Sequence, residues 1–260
     1  MDKKTILITG AASGIGRETA LLFAKNGWFV GAFDVNESGL KTLEAEIGKN
    51  NCFTGFMDVI DPESVQSGIE SFASKTEGKL DVLLNNAGIL KFGLYENVDI
   101  KTHHRIVDVN FKGCLNCIYY ALRHLKATPG SRIINMSSAS SIYGIPDLSV
   151  YSATKHALSA MTEALNIELG RYGIHVCDIK PPYVKTPLLD VPEDVFSIKV
   201  MGVFMGPKWV AKTVWKAAHR KKIHWLIGAT IPLAFLFWLL PFAFVRRFIV
   251  KTLTISPKQK

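Results

Sequence analysis

The run Thr5-Ile-Leu-Ile-Thr9, followed at once by Gly10-Ala-Ala-Ser-Gly14-Ile-Gly16, constrains this chain more than any other stretch. Its apolar, β-branched residues predict a buried strand, and the helical pattern continuing to Ala24 predicts a helix that starts within the glycines. Glycine permits a tight turn and a close backbone approach, while a helix N-terminus offers unpaired N–H groups to a pyrophosphate. Strand, glycine turn and helix start in this order form a dinucleotide-binding unit, with Gly10, Ser13, Gly14, Ile15 and Gly16 as the expected contacts. The glycine spacing is G-x3-G-x-G, not G-x-G-x-x-G.

A second apolar run, Trp28 to Phe33, predicts a neighbouring strand that ends on Asp34. A carboxylate there accepts hydrogen bonds from both hydroxyls of an adenine ribose and repels a 2′-phosphate. Val35 and Ser13 offer such a phosphate no positive charge, and Arg17 is the one opposing residue, so NAD is the expected cofactor. Further strands are expected at Phe53–Met57, Asp81–Leu84, from Arg132 towards Ser138, at Ile174–Ile179 and at Lys222–Ile227. Helical patterns separate them. One begins at Asp61 as N-cap with Pro62 at N1, and a long one runs from about Lys101 to Lys126. Alternating strands and helices in 260 residues with 48% hydrophobic content predict an α/β fold, a doubly wound parallel sheet of about seven strands in one domain, residues 1–227. His103-His104 are adjacent on a helix, point apart and have no spaced carboxylate or thiol partner; they are expected at a surface or interface, and no metal site is expected.

Tyr151 and Lys155 stand one turn apart on a helix whose apolar residues recur at Val150, Ala153, Ala157, Leu158, Met161 and Leu165. A free tyrosine titrates near pH ~10, but a fixed ammonium beside it favours the phenolate and is expected to lower its pKa. Ser138 lies upstream at the mouth of a buried strand, and Asn110 sits in Val109-Asn-Phe-Lys-Gly113. Together with the glycine spacing, these residues resemble the catalytic set of the short-chain dehydrogenase/reductase family, over residues 5 to about 227. The resemblance implies that Tyr151 exchanges a proton with the substrate oxygen, that Ser138 hydrogen-bonds that oxygen, that Lys155 holds the nicotinamide ribose, and that Asn110 orders a water behind the lysine. It also implies cofactor contacts at Asp58 and Val59 beside adenine, at Asn86, Ala87 and Gly88, and at Pro181, Val184 and Thr186 beside the carboxamide. Pro182 departs from the family, which usually has glycine there; proline fixes φ and removes an N–H. By the same resemblance the helices carrying Asn110 and Tyr151 form a homo-oligomer interface.

The net charge of +9 is unevenly placed. From Val195 onward there are twelve basic residues and no Asp or Glu, so residues 1–194 carry 19 basic against 22 acidic side chains. A basic tail points to an anionic partner, a membrane surface or a nucleic acid. The chain enters its first strand at once, which leaves no room for a signal or transit peptide. Leu188 to Met205 reads as an apolar lid. The run Gly228 to Val245, with Pro232, Pro241 and basic clusters on both sides, is short for a span and fits an in-plane or hairpin anchor, residues 228–260, with Arg246, Arg247 and Lys251 on headgroups. The competing expectation is an arm that covers the active site or a dimer partner. Nucleic acid fits poorly, because the charges interleave with an unbroken apolar run rather than with stacking aromatics. Cys52, Cys114, Cys117 and Cys177 sit in apolar runs and are expected to be reduced core residues in a cytosolic setting.

The expectation is therefore an NAD-dependent oxidoreductase on the cytoplasmic side of a membrane, interconverting a steroid-, retinoid- or long-chain-like alcohol and its carbonyl. The alternatives are an NADPH-linked acyl-chain ketone reductase and a non-catalytic, membrane-bound NAD-binding protein.

Overall fold

The computed structural model describes residues 3–189, 198–199, 202–239 and 242–254. In chain order the elements are β1 (Thr5–Thr9), α1 (Gly14–Lys25), β2 (Phe29–Asp34), α2 (Glu37–Ile47), β3 (Cys52–Phe56), α3 (Pro62–Lys75), β4 (Val82–Asn85), α4 (Ile100–Val107), α5 (Gly113–Ala127), β5 (Arg132–Met136), α6 (Ser149–Gly170), β6 (His175–Lys180), α7 (Pro207–Ala217), β7 (His224–Leu226), α8 (Thr230–Leu239) and α9 (Ala243–Thr254). The seven strands form one parallel sheet in the order β3-β2-β1-β4-β5-β6-β7. The order reverses between β1 and β4, and ligands of open α/β sheets bind outside the strand ends at such a switch point.

Alternation within the strands feeds two cores, as a sheet covered on both faces requires. Ile6, Ile8 and Val30 point towards α1, α2 and α7, whose Phe23, Leu40 and Val214 meet them, while Leu7, Leu83 and Ile133 face Phe72, Cys117 and Leu158 of α3, α5 and α6. All four cysteines are free and buried; burial pushes the thiols of Cys52, Cys114 and Cys177 up to about 12 and raises that of Cys117 as well. Asp61 caps α3 as expected, accepting from Glu63 N at 3.0 Å.

Two expectations need correction, and the tail takes one of its expected forms. The helix expected over Lys101–Lys126 is two helices joined by a π-turn, Asp108–Lys112, which carries Asn110. His103 is buried, not superficial: its ring stacks on Tyr95 at 4.7 Å and its Nε2 lies 3.1 Å from the Tyr95 carbonyl oxygen, while His104 is exposed. The 18-residue apolar run resolves into two helices, with Pro232 in the first turn of α8, where its missing N–H costs nothing. Among the described residues no helix is long and apolar enough to cross a membrane. Of the expected lid, Val191, Val195, Phe196, Val200 and Met201 lie outside the described residues.

Gly16 is fixed by packing. A Cβ there would overlap the Gly10 carbonyl oxygen and lie 2.8 Å from Asn86 Nδ2, so α1 could not sit this close to the glycine turn. Gly16→Ala is expected to destabilise the protein by roughly 1–3 kcal/mol, the usual cost of overpacking, read as a lowered urea midpoint with an unchanged slope.

Candidate active site

The ends of β1 and β4 are tied together by side chains. Thr9 Oγ1 accepts from the backbone N–H groups of Asn86 and Ala87, both at 3.1 Å, and Asn86 Nδ2 donates to the carbonyls of Thr9 and Gly10, both at 3.0 Å. Gly10 and Gly14 adopt φ values of 68° and 54°, a left-handed region that a side chain would strain. The turn thus stays open against Thr186, whose Cγ2 lies 3.2 Å from where a Gly14 Cβ would be. At the tip of β2, Asp34 accepts from Ala12 N and Asn36 N, both at 2.9 Å, one bond to each oxygen. Each oxygen keeps a second acceptor site for a ligand hydroxyl. Arg17, the opposing basic residue, is engaged elsewhere: it reaches Glu46 at 2.8 Å and the Gly39 carbonyl at 3.3 Å.

Asn110 reaches the β4 exit from the π-turn. It accepts from Ile89 N at 2.8 Å and donates to the Ile89 carbonyl at 2.9 Å, with Thr154 Oγ1 of α6 at 3.3 Å. A Cβ on Gly88 would lie 3.3 Å from Asn110 Oδ1 and 3.7 Å from Lys155 Nζ, so the missing side chain keeps this corner open. Tyr151 and Lys155 project from the first turns of α6 and are 9% and 4% exposed. Lys155 Nζ donates to the Met136 carbonyl at 2.7 Å and lies 5.5 Å from the Tyr151 ring. The Ser138 hydroxyl faces the Tyr151 phenol and favours its ionised form. Burial lowers Lys155 to about 8, and it pushes Tyr151 up to about 12 against the opposing influence of Ser138. The expected lowering of the tyrosine pKa is thus reversed in this structure. Desolvation of the phenolate outweighs an ammonium that is turned towards a carbonyl.

Of the site residues expected from the sequence, all except Gly16 and Asn110 line one cavity of about 680 Å³. One end holds Asp34, Val35, Asp58 and Val59; the other is apolar, with Ile145, Leu148, Tyr183 and Leu189, and the tyrosine and serine stand between them. The segment after β6 closes one side: Pro181 O accepts from Ala139 N at 2.9 Å, and Val184 bridges to Met205 with Lys185 N bonded to Met205 O at 2.9 Å. Pro182 is accommodated in this wall with no cis peptide.

Several lining residues were missed in the sequence. Arg105 reaches the cavity from α4, 3.7 Å from Asp58. The buried Ser140 hydroxyl has no hydrogen-bond partner and lines the cavity two residues beyond Ser138. From the tail come Thr230, Pro232, Leu233 and Leu236 of α8 and Leu253 of α9. Phe237 stacks on Tyr143 at 5.3 Å, which docks α8 on the loop that carries Ser138. Nothing local in the sequence marks the tail as a wall, although a covering arm was one of two expectations for it.

A parallel sheet with a glycine turn at its switch point and a tyrosine, serine and lysine beside it defines an NAD(P)-dependent oxidoreductase acting on a CH–OH group or its carbonyl. The chain belongs to the short-chain dehydrogenase/reductase family: the profile described as "short chain dehydrogenase" matches residues 4–197. It is 34% identical over 220 residues to a cyclohexanol dehydrogenase of Acinetobacter sp. (strain SE19), covering 82% of this chain and 86% of that protein. The structure of a 3-ketoacyl-(acyl-carrier-protein) reductase from Brucella melitensis complexed with NADH is similar at a TM-score of 0.78 and 31% identity, over 86% of this chain and 96% of that one. ElxO with NADP bound gives 0.76 and 29%, over 86% and 97%.

Proposed function

We propose that the protein is an NAD-dependent oxidoreductase that interconverts a hydrophobic secondary alcohol and its ketone. The observation that carries this reading is that Tyr151 and Ser138 line the same cavity as the dinucleotide-type residues Gly14, Asp34 and Asp58 and as the apolar Ile145, Leu148 and Tyr183. When bound, the nicotinamide supplies a hydride acceptor or donor. The glycine turn and Asn86, Ala87 and Gly88 hold the dinucleotide at the switch point, Asp34 its adenine ribose, Asp58 and Val59 the adenine, and Val184 and Thr186 the carboxamide side. Ser138 donates a hydrogen bond to the substrate oxygen, Tyr151 moves the hydroxyl proton, and Lys155 keeps positive charge beside the phenol. In this reading Asn110 acts as a brace: its amide grips Ile89 and Thr154, which fixes the floor under Lys155. Residues 1–227 form the catalytic domain. The similarity to a ketoacyl reductase favours, as a second reading, an acyl-chain ketone reduced in the same site.

Asp34 supports NAD over NADP, since a 2′-phosphate would meet its carboxylate while Arg17 is held by Glu46 and Arg105 lies beside Asp58. Steady-state rates with NADH are expected to exceed those with NADPH by at least about an order of magnitude. Equal rates would overturn the assignment.

The tail, residues 228–260, fits a monotopic anchor on the cytoplasmic side of a membrane. Phe235, Trp238, Phe242, Phe244 and Phe248 are all more than half exposed, and Arg247 and Lys251 are exposed on the same α8–α9 unit. Aromatic rings with basic neighbours suit the interface of an anionic bilayer. A separate exposed set on α5 and α6, Leu115, Tyr119 and Ile167, supports a second copy of this chain as the partner there.

A further inference from the structure

The apolar end of the cavity and the outward face of the tail share one edge. In α8, Ile231, Phe235 and Trp238 recur at helical spacing and point outward, whereas Phe237 and Val250 of α9 are buried inward. Pro232 and Leu236, four residues apart, lie on the stripe between these faces. Both line the cavity and both are exposed, Leu236 by 39%; Leu188 also lines it and is 40% exposed. The chamber therefore opens at its apolar end through apolar residues that continue into Phe235 and Trp238.

Resting on the oxidoreductase reading and on the anchor proposed above, we infer that the substrate alcohol enters this chamber directly from the lipid phase, through a mouth bounded by Leu188, Pro232 and Leu236. An anionic bilayer is the occupant that the charges favour. The described part of the tail, α8 and α9, carries Arg246, Arg247 and Lys251 and no acidic residue, so two copies meeting through this face would bring like charges together. Facing lipid, Phe244 and Phe248 bury apolar area while Arg247 and Lys251 reach headgroups. The mouth then lies at hydrocarbon depth, and a lipid-like alcohol passes into the chamber without crossing water. The polar end of the cavity, at Asp34 and Asp58, remains on the aqueous side for the dinucleotide.

The test uses full-length protein and vesicles of mixed phosphatidylcholine and phosphatidylglycerol that contain a diazirine-bearing long-chain secondary alcohol. Photolabel is mapped by peptide, and NADH affinity and NAD-linked turnover are followed in parallel. The wild type is expected to pellet with the vesicles and to be labelled on the chamber segment that holds Ile145, Leu148 and Tyr183. Leu236→Trp, which plugs the mouth, is expected to pellet equally and bind NADH equally, yet to lose chamber labelling by on the order of tenfold. Leu236→Ala, which widens it, should label at least as fast as the wild type. Chamber labelling that is indifferent to both substitutions would overturn the entry route. So would protein that ignores vesicles and self-associates or binds nucleic acid through this face instead. Chamber labelling that responds to Leu236 without turnover of any alcohol supports the route while refuting the oxidoreductase reading, so the two failures are distinguishable.

Discussion

Tyr151→Phe is expected to lower turnover by on the order of 10²–10⁴ while NADH affinity stays within about twofold, because it removes a positioned proton donor and conserves ring volume. The ring is nearly enclosed, and the Ser138 hydroxyl interacts with its phenol. The pH dependence has a definite sign. Ketone reduction needs a protonated Tyr151, which a pKa raised to about 12 supplies throughout neutral pH, and a charged Lys155, which is lost as pH rises through about 8. Reduction by the wild type should therefore be level below pH 8 and fall above it, while alcohol oxidation, which needs the phenol to accept a proton, should gain with rising pH. A pH–rate profile in both directions, with Tyr151→Phe alongside, checks this. Near-full activity of the variant on a good substrate would remove Tyr151 from the chemistry.

What could be read in the sequence was whatever local pattern determines. The glycine turn, the strand alternation and the Pro62 helix start depend on neighbours in sequence, and each falls within a residue or two of its expected place. Asp34 is the last residue of β2 and Ser138 lies two residues beyond β5, so both arrive at the cavity through strand length alone. The π-turn was not legible, since its residues keep ordinary helical spacing and composition. It is held by the tertiary grip of Asn110 on Ile89, and by Gly113, where an added Cβ would lie 2.6 Å from Val59. His103 is buried by a ring from the turn at Tyr95–Asn97, another contact without local signature. The direction of the Tyr151 shift also escaped, because an i, i+4 lysine says nothing about how deeply the pair is desolvated or where the ammonium turns.

Removing residues 228–260 is expected to cost catalysis more than cofactor binding. The sheet is complete at Leu226, and the dinucleotide end of the cavity is built wholly from earlier residues, so NADH should bind the truncated protein as it binds the full chain. The apolar end loses Leu233, Leu236 and Leu253, together with the Phe237–Tyr143 stack that supports the Ser138 loop. Three lost aliphatic contacts at ~1.5 kcal/mol each correspond to roughly a 10³-fold fall in kcat/KM for a long-chain alcohol. Cyclohexanol, too small to reach that wall, should lose less. Thr230 makes the docking specific: its Oγ1 accepts from Ile227 N at 2.7 Å and donates to Ile227 O at 2.8 Å, which ties the start of α8 to the exit of β7. Thr230→Val, which leaves the tail in place but breaks that tie, is expected to reproduce part of the loss. The comparison of both variants in detergent, with NADH titration as the control, separates a catalytic wall from a pure anchor. An anchor alone would leave kcat/KM in detergent unchanged for both alcohols.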